Sequence, residues 1–336
     1  MKRNSFNKPI GVCLQFSAVL LLLTSADLLA QEENDFIVRF DISSIQAIFN
    51  DPAGVRDNAD EFWKTDPAYR LADIWHRDTH VPKDPESWNR RLTDLAAIEK
   101  DERYSDPGYK LALAFFEKNE LFQKTAVAHV KTFIPNLDRI SIDTTIYVTA
   151  YTRSYAFMMD GNSVLESTSS HWKNDLNFTL NTQTHELFHV AYEHNIEFRK
   201  EVGLTNATKY GFLNVLQDEG IASYVGYTIR DVFPCENRDH VMMDDPAAVR
   251  GKIAIVNDIF RQADNLSTDE IEKLSWEDGV MGRAYYVTGG HMARTIDQAL
   301  GRAALKETIS NGPLDFVDVY NTLAPEPERV IRFPSP

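Results

Sequence analysis

Cysteine is almost missing from this chain: 336 residues hold two, Cys13 and Cys235. Cys13 lies in the apolar stretch that opens the chain and lacks the small residues expected just before a lipidated cysteine. Cys235 is then the one thiol of the remainder, and a lone thiol closes no intramolecular disulfide, so stability has to come from a buried core. Positive charge is scarce as well. Lys and Arg number 35 against 50 Asp and Glu, a net charge of −15, which argues against nucleic acid or an anionic membrane surface as a partner. Outside the first 30 residues there is no long hydrophobic run, and neither an internal repeat nor a Gly/Ser-rich linker punctuates the sequence. What remains is enough chain for one large domain or two closely packed lobes.

The apolar start has the layout of an export signal. Lys2, Arg3 and Lys8 lead into an apolar core from Ile10 to Leu23, broken by Gln15 and too short and polar to span a bilayer comfortably. Leu28-Leu29-Ala30 offers a cleavage site. Residues 1–30 are therefore read as a signal peptide, which predicts a secreted or periplasmic protein beginning at Gln31, free of the membrane after cleavage; an uncleaved N-terminal anchor is the alternative. Nothing in the sequence bears on oligomeric state.

From Ile45 to Lys131 the patterning is helical, broken by Pro67, Pro82, Pro85 and Pro107. Residues 31–137 are expected to form a helical N-terminal lobe. The texture changes near Pro135: "ISIDTTIYVTAY" is β-branched and alternating, and Asp160-Gly161 stands between two extended runs as a hairpin turn. The expected fold class is thus α+β, mostly helical, with a small sheet inside a second region spanning 138–336.

The chemistry concentrates in "NTQTHELFHVAYEH", where His185, Glu186 and His189 form His-Glu-x-x-His. Residues four apart on an α-helix differ by roughly 40° around the axis and about 6 Å along it, so both imidazoles reach one metal ion. Glu186, roughly 100° round from His185, borders that ion without having to ligate it, and can take a proton from a metal-bound water. Leu176, Leu180, Leu187, Val190 and Ala191 give the same helix an apolar back. An ordinary helix with two histidines is the bland alternative, and a third ligand would weigh against it. The continuation that would supply a third histidine is absent, since Tyr192 and Asn195 stand there. Glu219, in "YGFLNVLQDEGIASYVGYTI", is the candidate instead. Ala222, Ser223 and Gly226 make a strip of small residues on its side of a helix, which would let this helix approach the histidine helix closely; a plain packing stripe with a solvated glutamate is the competing reading.

"THELFHVAYEH" followed by "DEGIASYVGY" resembles the gluzincins, thermolysin-like zinc metallopeptidases whose ligands are two histidines and a glutamate, and in particular an uncharacterised bacterial family labelled a putative zinc-dependent peptidase. "AYYVTGGHMARTIDQALG" extends the similarity, which covers residues 140 to 323 at fold level. The resemblance implies a zincin-like, two-lobed fold with the cleft between lobes. It implies one Zn2+ held by His185, His189 and Glu219, with Glu186 activating the water. Tyr286, three before Gly289, would donate a hydrogen bond to the oxyanion; Tyr285, one register away, and His291 are alternatives. Where thermolysin has an aspartate orienting a ligand histidine, this chain has Ser223, so that role stays unassigned. The aminopeptidase motif Gly-x-Met-Glu-Asn is missing, which tilts the expectation toward an endopeptidase acting on a peptide or protein substrate. An extended substrate would dock on a sheet edge, with Ile146 to Ala150 and Tyr155 to Met159 as candidate strands. The competing function is an exported zinc-containing binding protein without turnover. His76, His80, His129, His171 and His194 are read as structural.

Overall fold

Aspartate-proline pairs cut the first half of the chain into short helices. Asp66, Asp84 and Asp106 each accept a backbone N–H of a helix whose first residue is the proline that follows, so one residue satisfies an orphan donor and the next has no donor to satisfy. Of the prolines that interrupt the helical pattern of the sequence, Pro67, Pro85 and Pro107 are helix starts, and Pro82 lies in the loop ahead of Pro85. A computed structural model describes residues 36–331 apart from 80, 81, 138, 139, 202–207 and 264. The expected leader with its expected cleavage site, and His80, lie outside the described residues. Among the described residues no helix is long and apolar enough to cross a membrane.

The fold is α+β and mostly helical around one four-stranded sheet in the order β1-β2-β4-β3. Its strands are β1 (Phe36–Asp41), β2 (Ile142–Thr149), β3 (Ala156–Met159) and β4 (Asn162–Glu166). β1 and β4 flank β2 in parallel, while β3 and β4 form an antiparallel hairpin closed by Asp160 and Gly161, both at positive φ. Two expectations are corrected here. The segment read as a helical lobe also supplies β1, whose partner Ile142 lies far along the chain. And β2, proposed as a docking edge, is covered on both sides, so of the two candidate strands β3 alone is an edge.

Helices pack against both faces of the sheet, while Ile37 and Arg39 of β1 stay exposed. Phe36, Val38, Ile142, Ile146, Val148 and Leu165 join the main core, whereas Phe157 and Val164 meet Leu71 and Ala72 of α1 (Pro67–Asp78) in a smaller cluster. The main core runs from Phe36 to Val330, and the chain from Phe36 onward groups as one compact unit. Under the sheet lies α2 (Leu176–Glu201), opened by Asp175, which accepts the N–H groups of Asn177 and Phe178. Ser163 of β4 bonds Gln183 of α2 at 2.8 Å, which fixes the helix beneath the hairpin.

Three more helices complete the surroundings of the site: α3 (Thr208–Thr228), α4 (Arg238–Met243) and α5 (Ala284–Leu300). α3 and α5 make the most extensive helix packing of the molecule. They cross where Gly220 faces Gly289: a Cβ on Gly220 would collide with the Cα of Gly289, and one on Gly289 with the carbonyl oxygen of Leu216. Glycine is required at this crossing because backbone touches backbone.

Candidate metal centre

On α2, His185, Glu186 and His189 sit near the middle of the helix, with Leu187, Phe188, Val190 and Ala191 fully buried behind them. The two imidazole Nε2 atoms point at each other across 3.0 Å. Glu219 of α3 brings Oε2 to 3.4 Å from His185 Nε2 and 3.3 Å from His189 Nε2. Zinc bonds of about 2.0–2.1 Å in a tetrahedral arrangement put neighbouring donor atoms about 3.3–3.4 Å apart. The three observed edges are therefore those of one face of such a tetrahedron. Glu219 Oε2 is buried and receives no hydrogen bond among the described residues, and an unsatisfied carboxylate oxygen is costly to bury unless a cation shares it. Among the described residues this trio is the group of His, Cys, Asp and Glu donors that could hold a metal ion. Two imidazoles and a carboxylate suit zinc.

Asp218, the residue before Glu219, accepts from His189 Nδ1 at 2.8 Å. In the neutral ring that bond favours the tautomer with its proton on Nδ1, whose Nε2 lone pair is directed at the trio. Burial disfavours a charged His189, but Asp218 and Glu219 outweigh it and raise its pKa well above the ordinary imidazole value. Burial would likewise raise Glu219; the two histidines reverse this and hold its pKa well below the usual carboxylate range. Glu186 differs from both. Its side chain is buried beside the trio without ion-pairing to a histidine, and burial pushes its pKa up against the opposing pull of His185 and His189. A carboxyl poised upward in this way accepts a proton more readily than an ordinary glutamate.

Tyr286 comes from the first turn of α5 and donates its hydroxyl to Glu219 Oε1 at 2.9 Å, with its ring parallel to His185 at 6.1 Å. The alternatives stand elsewhere. Tyr285 is fully buried with its hydroxyl paired to Ser275 at 2.8 Å, and His291 lies against Tyr320 with Glu328 at 4.0 Å. Adjacent helical residues point about 100° apart, so when Tyr286 faces the trio Tyr285 cannot. Of the remaining histidines, His129 ties to Thr228 of α3 at 2.9 Å, and His76 to the carbonyl of Thr152 at 2.9 Å. His171 stacks on Tyr155 at 3.9 Å, just before the edge strand β3.

Sequence reading missed three contributors. Asp218 takes the orienting role looked for at Ser223, whose hydroxyl is buried with no hydrogen-bond partner; its one signal was an acid next to the candidate ligand. The other two are Arg283 and Asp239, paired through both Asp239 oxygens, with the guanidinium carbon 3.1 Å from the Tyr286 ring centre. Neither carried a motif.

Residues 106–327, which include every residue of this site, match the family described as "Putative zinc dependent peptidase (DUF5700)". No curated protein and no solved structure matches the chain.

Proposed function

We propose that this chain, which belongs to the family described as a putative zinc dependent peptidase, is an exported endopeptidase of gluzincin type that binds one zinc ion through His185, His189 and Glu219. The observation that carries the reading is the trio of donor atoms at tetrahedral-edge spacing with a buried, non-ligating carboxyl beside it. A site built for binding alone has no use for Glu186.

Zinc in this site would keep a position for water, lower the pKa of that water toward neutrality and polarise the scissile carbonyl. Glu186 takes the proton of the attacking water and later passes it to the leaving amine. Its raised pKa favours the first half of that shuttle, and the carboxylic acid so formed is still far more acidic than the ammonium that receives its proton. Asp218 holds His189 in the one tautomer that can ligate. Tyr286 donates to Glu219 in the resting site, within reach of the place where negative charge develops on the substrate; turning that hydrogen bond to the oxyanion supplies a donor needed chiefly in the transition state. The free edge of β3, which runs along α2, accepts the substrate as an added strand.

The test is cleavage of a diverse mixture of peptides with blocked termini, read by mass spectrometry, using the protein from Gln31 onward. Cuts at internal bonds that vanish with chelator, return with zinc and are missing from Glu186→Gln support the proposal. A protein that holds zinc yet cuts nothing rejects turnover and leaves a zinc-containing binding protein. N-terminal sequencing of the protein recovered outside the cytoplasm tests export: a start at Gln31 is expected.

A further inference from the structure

Arg283 occupies an unusual place. It precedes the first residue of α5 with φ of 62°, a left-handed conformation that strains an L-residue with a side chain and that glycine adopts freely. The side chain is mostly buried. Burial works against its charge, yet Asp239, itself buried, and the neighbouring phenols keep the guanidinium pKa raised. Asp239 receives Nε at 3.1 Å on both oxygens and is also bonded by Nη2. The plane so fixed lies on the face of Tyr286, whose other polar contact is Glu219 at 2.9 Å. A residue kept in a strained backbone conformation, with a buried charge paired by a separate helix, is held there for what its side chain touches.

We propose that Arg283, clamped by Asp239 of α4, is a positioning residue that pins the ring of Tyr286 and aims its hydroxyl at the reacting centre. The proposal rests on the peptidase reading for its kinetic part and on geometry alone for the pinning. The guanidinium caps one ring face, so the ring cannot turn about its axis without breaking a cation–π contact. The fork of hydrogen bonds to Asp239 fixes the guanidinium plane in turn, and lysine has no such fork.

The experiment has two arms. In the first, tyrosine-labelled, zinc-free protein is examined by 13C NMR, with the Tyr286 signal assigned by its loss in Tyr286→Phe. Wild type is expected to show a slowly flipping Tyr286 ring, and Arg283→Gly, which relieves the backbone strain, a freely flipping one. Asp239→Asn, which keeps the shape of Asp239, is expected to fall between. Equal ring flipping in all three proteins overturns the pinning. In the second arm, kcat, KM and zinc affinity are measured for Arg283→Gly, Tyr286→Phe and the double variant. Arg283→Gly is expected to lower kcat by about 10- to 100-fold, the scale of a small misplacement of a reacting group, with KM and zinc affinity unchanged. In the Tyr286→Phe background it should cost little more, because its partner hydroxyl is already gone. A loss of the same factor in both backgrounds means that Arg283 acts on substrate directly and overturns the proposal. If no protein in the set cleaves anything, the peptidase reading fails while the NMR arm still decides the pinning.

Discussion

Removing the Asp218 carboxylate separates metal holding from metal chemistry. Asp218 touches none of the proposed ligand atoms; it bonds His189 Nδ1 at 2.8 Å on the far side of the ring. Outer hydrogen bonds to ligand histidines are worth about 10- to 100-fold in metal affinity, or about 1.4–2.7 kcal/mol. Both partners are mostly buried, with side-chain exposures of 8% for His189 and 22% for Asp218, so solvent substitutes poorly for the lost acceptor. Asp218→Asn keeps an oxygen for Nδ1 but loses the charge, and is expected near the lower bound. Asp218→Ala strands the Nδ1–H, an added cost of about 1–3 kcal/mol if water cannot reach it, and is expected near the upper bound. The gap should depend on pH. Asp218 and Glu219 raise the His189 pKa, so at low pH the same carboxylate also stabilises the proton with which zinc competes. The difference between wild type and Asp218→Ala is therefore expected to be wider at about pH 8 than at about pH 6. Competition against a chromophoric chelator at both values, with thermal melts of the zinc-free proteins to check folding, gives the answer. An Asp218→Ala protein that binds zinc within about twofold of wild type at about pH 8 would refute the reasoning.

Glu219→Ala should abolish tight zinc binding in the same assay while leaving the helices folded; an unchanged metal content would move the third ligand elsewhere. Gly220→Ala forces a methyl into the backbone of α5 and is expected to destabilise the fold by about 1–3 kcal/mol or more, visible as a lowered Tm; an unaltered melt would mean that the crossing can open. Glu166 is buried, and burial raises its carboxyl above the ordinary value of 4.5, with Thr152 giving back part of that through a hydrogen bond. A raised folded-state pKa means the native protein binds more protons than the unfolded chain, so this group's contribution to stability falls as pH rises from about 4.5 through the folded value. Glu166→Gln should flatten stability against pH across that window in urea titrations, and an identical slope would show that another group sets it.

The metal cluster was legible because helical spacing alone brings His185 and His189 to one point, and because a second helix was needed to supply Glu219. What helical spacing does not contain is the angle at which two helices cross. Whether Asp218 or Ser223 backs a histidine depends on how α3 lies on α2, and whether Tyr285 or Tyr286 enters the site depends on the meeting of Gly220 and Gly289. The hairpin at Asp160-Gly161 was readable from its turn residues. β1 was not, since the alternation of "FIVRFD" is short and its partner Ile142 lies on the other side of many intervening helices. The order of the sheet was hidden for a related reason: β2 skips its neighbour in sequence and pairs with β4, which no local pattern records. Asp239 belongs to α4, and Arg283, just ahead of α5, is itself the left-handed residue, which looks ordinary in sequence.

The glycine crossing also limits how α5 can move against α3. Two rods that touch backbone to backbone at one point can pivot there, but they slide or part only by giving up their closest contact. Tyr286 lies three residues from Gly289, about 4.5 Å along α5, whereas the far end at Leu300 lies about 16.5 Å away. A rocking of α5 against α3 therefore displaces its outer end several times as far as it displaces the phenol. The outer end of α5 can therefore shift while the hydroxyl keeps its distance from Glu219, because the pivot of the motion stands almost beneath the donor trio.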